Sequence, residues 1–221
     1  MTHPLVDRLA GMVARRATPE AASWFALHMK GGGFATAFSG AGRRLGTAAL
    51  ALGDDERLPG VDSLAQLFNG RGLDEAARGA LLLAQIARLE SGHPALVSEL
   101  FYRGEMREKQ ALLRALPLLP EPAQYLDIAA EACRNSTQTI FEAIACENSY
   151  PADWFSQDAF NQLVLKALFI EVSVVRIEGL GRRAGPELAR MATGYGNERR
   201  AAGRRVPDDI ETICTLVKGE Q

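Results

Sequence analysis

Apolar residues recur at helical spacing along most of the chain. In the segment 73–90, Leu81, Leu82, Ile86 and Leu89 run down the length of one stretch, which is the pattern of an amphipathic helix that buries one face. No segment sustains the strict alternation of apolar and polar residues that marks a β-strand. The pattern therefore predicts an all-α fold.

Capping residues and helix breakers divide this pattern into short helices. Thr18 followed by Pro19 is typical of a helix start, and the segment 31–33, three glycines, is typical of a helix end. Ser136 and Ser156 are expected to cap two later helices. Short helices joined by short loops favour an irregular multi-helix bundle or a HEAT-like α-solenoid of helix pairs. No repeat of fixed period distinguishes between these two arrangements.

The segment 157–171 is the most apolar of the predicted helices. On a helical wheel Asp158, Asn161, Gln162 and Lys166 fall within an arc of about 140°, taking about 100° per residue. Apolar residues cover nearly all the rest of the surface, as expected for a central, buried helix. Because unpaired buried polar groups are costly, the polar arc must face solvent, a polar network or a cavity.

Two interpretations of this polar arc remain open. In the first, Asp158, Gln162 and Lys166 are the solvent-facing edge of a core helix. In the second, Asn161 and Lys166 line a pocket for an anionic or polar small molecule. Apolar surroundings would then lower the pKa of Lys166.

A polar, aromatic turn precedes this helix and carries Asn148 and Tyr150. Turns of this composition are usually Asx-type structure. The alternative is a loop that contacts a ligand beside the buried helix. Asn148 and Tyr150 are therefore candidate binding residues.

An arginine-rich region follows the same helix. Arg199 continues the apolar face of a helix predicted over residues 187–202, so we expect it to pair with Glu171, Glu178 or a ligand. Arg176 is the other candidate for binding an anionic group. A nucleic-acid surface is disfavoured, because few aromatic residues are interleaved and the net charge is −2.

The composition is that of an ordinary globular protein. Hydrophobic residues make up 47% of the 221 residues and charged residues 24%, which argues against wholesale disorder. The longest apolar run, residues 163–170, contains Lys166 and is far shorter than a membrane span. The first residues lack the layout of a secretory signal, and the three cysteines have no close spacing. We therefore expect a cytoplasmic protein that neither spans a membrane nor binds nucleic acid.

The motifs of common catalytic sites are absent from the sequence. The three histidines are scattered and no cysteine pair has zinc spacing. There is no phosphate-binding loop in a strand–turn–helix context and no Gly-x-Ser-x-Gly nucleophile motif. We therefore predict no metal and no cofactor, and the balance is against an enzyme.

Several runs of residues, most of them in the second half of the chain, carry a family resemblance. They are Tyr150-Pro151-Ala152, Phe160-Asn161-Gln162-Leu163-Val164-Leu165-Lys166-Ala167-Leu168-Phe169, Glu187-Leu188-Ala189-Arg190-Met191 and Glu198-Arg199-Arg200-Ala201-Ala202-Gly203. In these runs the chain resembles the EboA family, strongly over about residues 100–210 and faintly before about residue 90. We therefore expect an N-terminal helical region (1–90) and a C-terminal EboA-like helical region (91–221) that pack as one unit.

The resemblance implies a bacterial, cytoplasmic, helical protein of gene clusters that handle secondary-metabolite precursors. Its expected partners are a metabolite and enzymes of the same cluster, including a membrane prenyltransferase. No catalytic residues come with the resemblance. The leading hypothesis is a non-catalytic protein that binds a metabolite or docks partner enzymes in precursor trafficking. The alternative is an enzyme that acts on a small anionic metabolite in a pocket around Asn161 and Lys166.

Overall fold

The computed structural model describes residues 4–51 and 67–219. Helices joined by turns and loops make up most of these two ranges. Within these ranges there is no β-strand, and extended backbone pairs only in an isolated bridge between Ala49 and Gly72. The predicted all-α fold is confirmed. The contacts divide the chain into two compact units, residues 1–132 and 133–221.

In its described residues, 4–51 and 67–132, the first unit contains six complete α-helices and the start of a seventh. They are α1 (Pro4–Ala14), α2 (Pro19–Met29), α3 (Phe34–Leu45), α4 (Leu73–Ile86), α5 (His93–Arg103), α6 (Met106–Ala115) and α7 (Leu126–Arg134), with short 3-10 turns at Leu116–Leu118 and Pro122–Tyr125. α4 is the central helix of this unit, since α1, α3 and α6 all pack against it. The first unit is therefore a bundle around one helix.

The second unit begins in the last turn of α7, and the part of it that the structure describes, up to residue 219, contains six further helices. They are α8 (Gln138–Ala145), α9 (Tyr150–Trp154), α10 (Gln157–Phe169), α11 (Leu180–Arg183), α12 (Pro186–Ala201) and α13 (Asp209–Gly219), with a 3-10 turn at Val174–Arg176. α12 packs against both α10 and α13. This arrangement places α10 and α12 side by side, which matters for the site described below.

The predicted helix ends are mostly where the capping residues place them. Thr18 accepts a hydrogen bond from the Ala21 amide at 3.3 Å, and Ser156 accepts one from the Ala159 amide at 3.2 Å. The prediction for Ser136 is wrong, because α8 begins one residue later, at an N-cap of Thr137 that makes no side-chain cap. The Asn135 side chain accepts from the Thr137 amide at 2.8 Å instead, so a local Asx turn sets this helix start.

The helix predicted over residues 73–90 is present but ends four residues early, and its interpretation as amphipathic is wrong. α4 ends at Ile86, and all of its residues except Gln85 are buried. Its charged residues are not a solvent face, because each has a buried partner. Arg78 donates to Asp74 at 2.5 Å and Arg114 donates to Glu75 at 2.5 Å.

Asp74 is the centre of this buried ion network. Besides Arg78 it accepts hydrogen bonds from Arg107, one of them at 2.8 Å. Burial alone would raise the pKa of Asp74, but the hydrogen bonds from Arg107 and Arg78 hold it below its usual range. These ion pairs join α4 to α6 across residue 90. The predicted division of the chain into regions 1–90 and 91–221 stays a prediction. The contacts divide the sequence into compact units between residues 132 and 133.

Three residues of the described chain other than glycine have a left-handed backbone, and all three are glutamates: Glu121 (φ 49°), Glu147 (φ 48°) and Glu171 (φ 58°). A side chain destabilises this conformation because its Cβ crowds the following carbonyl. Glu147 and Glu171 each pair with an arginine, so a side-chain interaction offsets the backbone strain at these two positions.

Candidate functional site

A pocket of about 830 Å³ lies between α10 and α12 in the second unit. Four of its lining residues come from α10: Gln162, Leu165, Lys166 and Phe169. Five come from α12: Arg190 and, at the same spacing as the α10 residues, Met191, Gly194, Tyr195 and Glu198. Residues three, four and seven positions apart share one face of a helix. The pocket, hereafter the α10/α12 groove, is therefore formed by two facing helical stripes.

The groove combines an apolar wall with charged groups. Leu165, Phe169 and Met191 are among the apolar residues of the lining, and Phe169 is 69% exposed. Lys166 and Arg190 bring positive charge, whereas Glu198 brings the negative charge. An exposed aromatic ring beside cationic groups suits a ligand with an apolar body and an anionic group.

Gly194 leaves open space in the wall formed by α12. A Cβ atom added at this position would meet no heavy atom within 4 Å. Glycine in the middle of a helix is unfavourable by about 0.5–1 kcal/mol relative to alanine. Here the missing side chain leaves the helix backbone accessible from the groove.

Lys166 is held at the edge of the groove by the end of α7. Its ammonium group donates to the carbonyl oxygens of Cys133 at 2.5 Å and Asn135 at 2.7 Å, and it lies 5.1 Å from the centre of the Phe141 ring. A lysine that binds the last carbonyls of a helix stabilises the helix end. An ammonium group has three N–H donors, so one remains for a ligand.

The electrostatics of Lys166 agree with the sequence prediction. Burial lowers the pKa of Lys166, and the neighbouring Cys133 opposes that shift in part. Burial also raises the pKa of the Cys133 thiol to about 12, so this thiol is protonated at neutral pH. The groove therefore has a lysine of altered basicity beside an unreactive thiol.

The sequence of the chain matches the model of a known protein family. The model described as metabolite traffic protein EboA matches residues 8–215 of the chain. The chain belongs to the EboA family. The match also includes the first unit, where the sequence resemblance was faint. Searches of the curated proteins and of the solved structures each found no match.

In one of the two interpretations of the polar arc, Asn161 and Lys166 of this EboA chain share a pocket, but the structure places them in different surroundings. Asn161 is only 2% exposed and accepts a hydrogen bond from the Gln157 side chain at 2.8 Å. Gln162 and Lys166 line the groove, whereas Asp158 is exposed. The polar arc of α10 is thus divided between core, groove and solvent.

The turn before α9 is the Asx turn that its composition predicts. The Asn148 side chain accepts from the Tyr150 amide at 3.0 Å and donates to the Ala143 carbonyl at 3.0 Å. Tyr150 is buried and its ring meets the Phe155 ring edge-on. Neither Asn148 nor Tyr150 lines the groove.

Arg176 lies between two carboxylates. It makes two hydrogen bonds to Glu147, at 2.8 and 3.1 Å, and one to Glu142 at 2.8 Å. The Glu147 carboxylate raises the pKa of Arg176 above its usual value. This cluster joins the turn at residue 147 to the segment around residue 176, which is a stabilising role.

Arg199 has the carboxylate partner that the sequence predicts. It lies 3.7 Å from Glu171, donates to the Arg205 carbonyl at 2.8 Å and stands 5.9 Å from the Tyr195 ring centre. Of the three expected partners, Glu171, Glu178 or a ligand, the structure shows the pair with Glu171. Of the six predicted binding residues, Lys166 alone is part of the groove lining.

The sequence interpretation missed the α12 side of the groove. None of its candidate binding residues is Met191, Gly194, Tyr195 or Glu198. The signal is the spacing 191, 194, 195, 198, which repeats the spacing 162, 165, 166, 169 on α10. Two matching stripes are visible in the sequence, but only the fold places them opposite each other.

The described residues offer no metal site and no transmembrane helix. In the two described ranges, no group of three or more His, Cys, Asp or Glu residues is placed to hold a metal ion. No helix in these ranges has the length and apolarity needed to cross a bilayer.

Proposed function

We propose that this EboA-family chain is a non-catalytic carrier that binds an amphipathic, anionic metabolite in the α10/α12 groove. The observation that carries the proposal is the groove itself, with an apolar wall and two cationic side chains over about 830 Å³. This volume lies within the range of small-molecule sites. Membership of the metabolite traffic protein family supports the same role.

The charge distribution supports an anionic ligand. Lys166 retains one ammonium donor, and Arg190 adds a guanidinium group that also pairs with Glu187 at 2.6 Å. Glu198 is the one carboxylate in the groove lining. An anionic group placed near Lys166 gains a charge-assisted hydrogen bond, and an apolar body covers the exposed ring of Phe169.

Two observations favour binding over catalysis. The alternative enzyme requires Asn161 and Lys166 to act on one substrate, but the Asn161 oxygen is bound by Gln157 inside the core. Nucleophilic catalysis by Cys133 would require a thiolate, and the pKa of this thiol is raised to about 12. The groove therefore suits holding a molecule rather than converting it.

We place this carrier in the bacterial cytoplasm and in the handling of secondary-metabolite precursors, as the family resemblance implies. Enzymes of the same gene cluster, including a membrane prenyltransferase, are the proposed recipients of the ligand. An open groove suits such a role, because a ligand that is only partly enclosed can leave without unfolding of the site.

Native mass spectrometry of freshly purified protein tests the proposal directly. We expect a co-purifying small anion, and we expect Gly194→Trp to abolish its retention, because the indole occupies the groove. Gly181→Trp is the matched control, since a Cβ at Gly181 also meets nothing within 4 Å but this residue is outside the groove. Equal ligand retention by the two variants would contradict the proposal. A co-purifying enzyme without any small molecule would favour the docking role instead.

A further inference from the structure

A second pocket, of about 480 Å³, lies in the first unit and has a different chemistry. Its walls come from α1, from the end of α4 and from the segment that follows α6. The residues that form them include Leu5, Val6, Leu83, Ile86, Leu118 and Leu119. Four of these are buried, namely Val6, Leu83, Ile86 and Leu119. The walls therefore belong to the packed core, and we call this site the α1/α4 pocket.

No charged side chain is among the described residues that line the α1/α4 pocket. The one polar side chain in the lining is His93, whose Nε2 lies 3.0 Å from the Leu89 carbonyl oxygen. Because a carbonyl only accepts, this nitrogen carries the proton and donates. The hydrogen bond satisfies that nitrogen within the protein, and the surface of the lining is mostly apolar.

The composition of the lining restricts the class of ligand. A charged group in this pocket would lose its hydration without gaining a partner, which is strongly unfavourable. An uncharged hydrocarbon group would instead replace water against leucine, isoleucine and valine side chains. An apolar cavity in a packed core binds small apolar molecules for this reason.

We infer that the first unit contains a second small-molecule site, the α1/α4 pocket, which takes an uncharged hydrocarbon molecule. It is separate from the α10/α12 groove, since the two linings share no residue and lie in different units. The chain thus offers one site for an amphipathic anion and another for a neutral apolar group. This inference does not depend on the function proposed for the groove.

Two fluorescent probes that differ by one charged group test the inference on the full chain. N-phenyl-naphthylamine is neutral and apolar, and anilinonaphthalene sulfonate is its sulfonated counterpart. We expect the neutral probe to bind in the first unit. Ala87 lines the α1/α4 pocket, so Ala87→Leu fills part of it and should weaken binding of the neutral probe at least about tenfold. Ala26→Leu is the matched control, because Ala26 is an exposed residue of α2 and should leave binding unchanged.

The reciprocal variant separates the two sites. Gly194→Trp should leave binding of the neutral probe unchanged, and Ala87→Leu should leave binding of the sulfonated probe unchanged. Absence of neutral-probe binding, or equal weakening by Ala87→Leu and Ala26→Leu, would overturn the inference. Loss of neutral-probe binding in Gly194→Trp would also overturn it, because the probe would then occupy the groove. Circular dichroism of each variant establishes that the helices are intact.

Discussion

Lys166 has a structural role in the second unit, and a binding role is proposed for it. Its two hydrogen bonds to the carbonyls of Cys133 and Asn135 stabilise the end of α7. Its third donor and its position in the groove lining make it the proposed contact for an anionic group. These two roles can be separated, because one concerns stability without ligand and the other concerns affinity.

Replacing Lys166 by methionine should affect both quantities. We expect Lys166→Met to lower the free energy of unfolding by about 1–2 kcal/mol, since hydrogen bonds from a charged donor are lost at a half-buried site. Affinity for an anionic probe should also fall. Urea unfolding and probe titration measure the two effects, with the exposed Lys218→Met as control. Unchanged stability would mean that the carbonyl contacts contribute nothing.

For single residues, the sequence indicates which side chains are candidates for binding, but it does not predict the groups that surround each of them. It names Lys166 as a candidate and gives the direction of its pKa shift that the structure shows, because a lysine on an apolar helix is partly desolvated. It could not separate Asn161 from Lys166, since both lie on one polar arc. The side of the arc that faces a neighbouring helix is decided by α12, which is distant from α10 in the sequence. Asn148 does not line the groove, because its side chain makes the local hydrogen bonds of an Asx turn.

Two glycines of α12 have opposite surroundings. A Cβ at Gly194 meets nothing within 4 Å, whereas a Cβ at Gly196 lies 3.1 Å from the Ile210 Cδ1 atom. We expect Gly194→Ala to raise the free energy of unfolding by about 0.5–1 kcal/mol through helix propensity. Gly196→Ala should gain less or lose stability, because α12 and α13 must separate slightly. Thermal unfolding of both variants compares them, and an equal gain would refute the close approach at Gly196.

The ion network of α4 makes a stronger prediction. Asp74→Asn leaves the buried Arg78 without its carboxylate, so we expect a loss of about 3–5 kcal/mol. Asp127→Asn, at an exposed position in the first turn of α7, should cost far less. Urea unfolding at neutral pH measures both. A loss below that of the control would mean that the network contributes little to stability.

The pH dependence of Asp74 has a definite sign. Its pKa is lower in the folded chain than the ordinary value of 3.8, so the unfolded chain binds more protons below that pH. The stabilisation from Asp74 is therefore present above pH 3.8 and is lost as the pH falls through the folded pKa. Asp74→Asn should remove this part of the acid destabilisation, which unfolding curves at successively lower pH would reveal.

The elements themselves were predictable to different degrees. Thr18 and Ser156 mark helix starts because capping is a local interaction between a side chain and nearby amides. The amphipathic interpretation of α4 failed because its charged residues resemble a solvent face. Their arginine partners, Arg107 and Arg114, lie on α6, and the pairing is invisible until α6 is packed against α4.

Each unit contains one of the two tryptophans, Trp24 in the first and Trp154 in the second. Single-tryptophan variants, Trp154→Phe and Trp24→Phe, therefore report on one unit at a time. We expect Asp74→Asn to shift the unfolding midpoint more when Trp24 is the reporter than when Trp154 is. Each unit has its own internal contacts, and multi-unit chains depart from two-state unfolding. Equal shifts would mean that the two units unfold together.

For the whole molecule, the sequence predicted the fold class and the family but not the compact units. Helical periodicity and short loops establish an all-α chain without any knowledge of packing. The grouping of helices instead depends on contacts such as those of α4 with α1 and α6, which join distant segments. The groove likewise depends on packing between distant segments, because one of its stripes lies on α10 and the other on α12.

The left-handed glutamates have a consequence for laboratory evolution of this protein. At Glu121 the side chain bonds only the nearby Gln124 side chain, so glycine there would relieve about 1 kcal/mol of backbone crowding at little cost. At Glu147 glycine would relieve the same crowding but would remove both hydrogen bonds from Arg176. A library selected for heat resistance should therefore enrich glycine at position 121 and reject it at position 147.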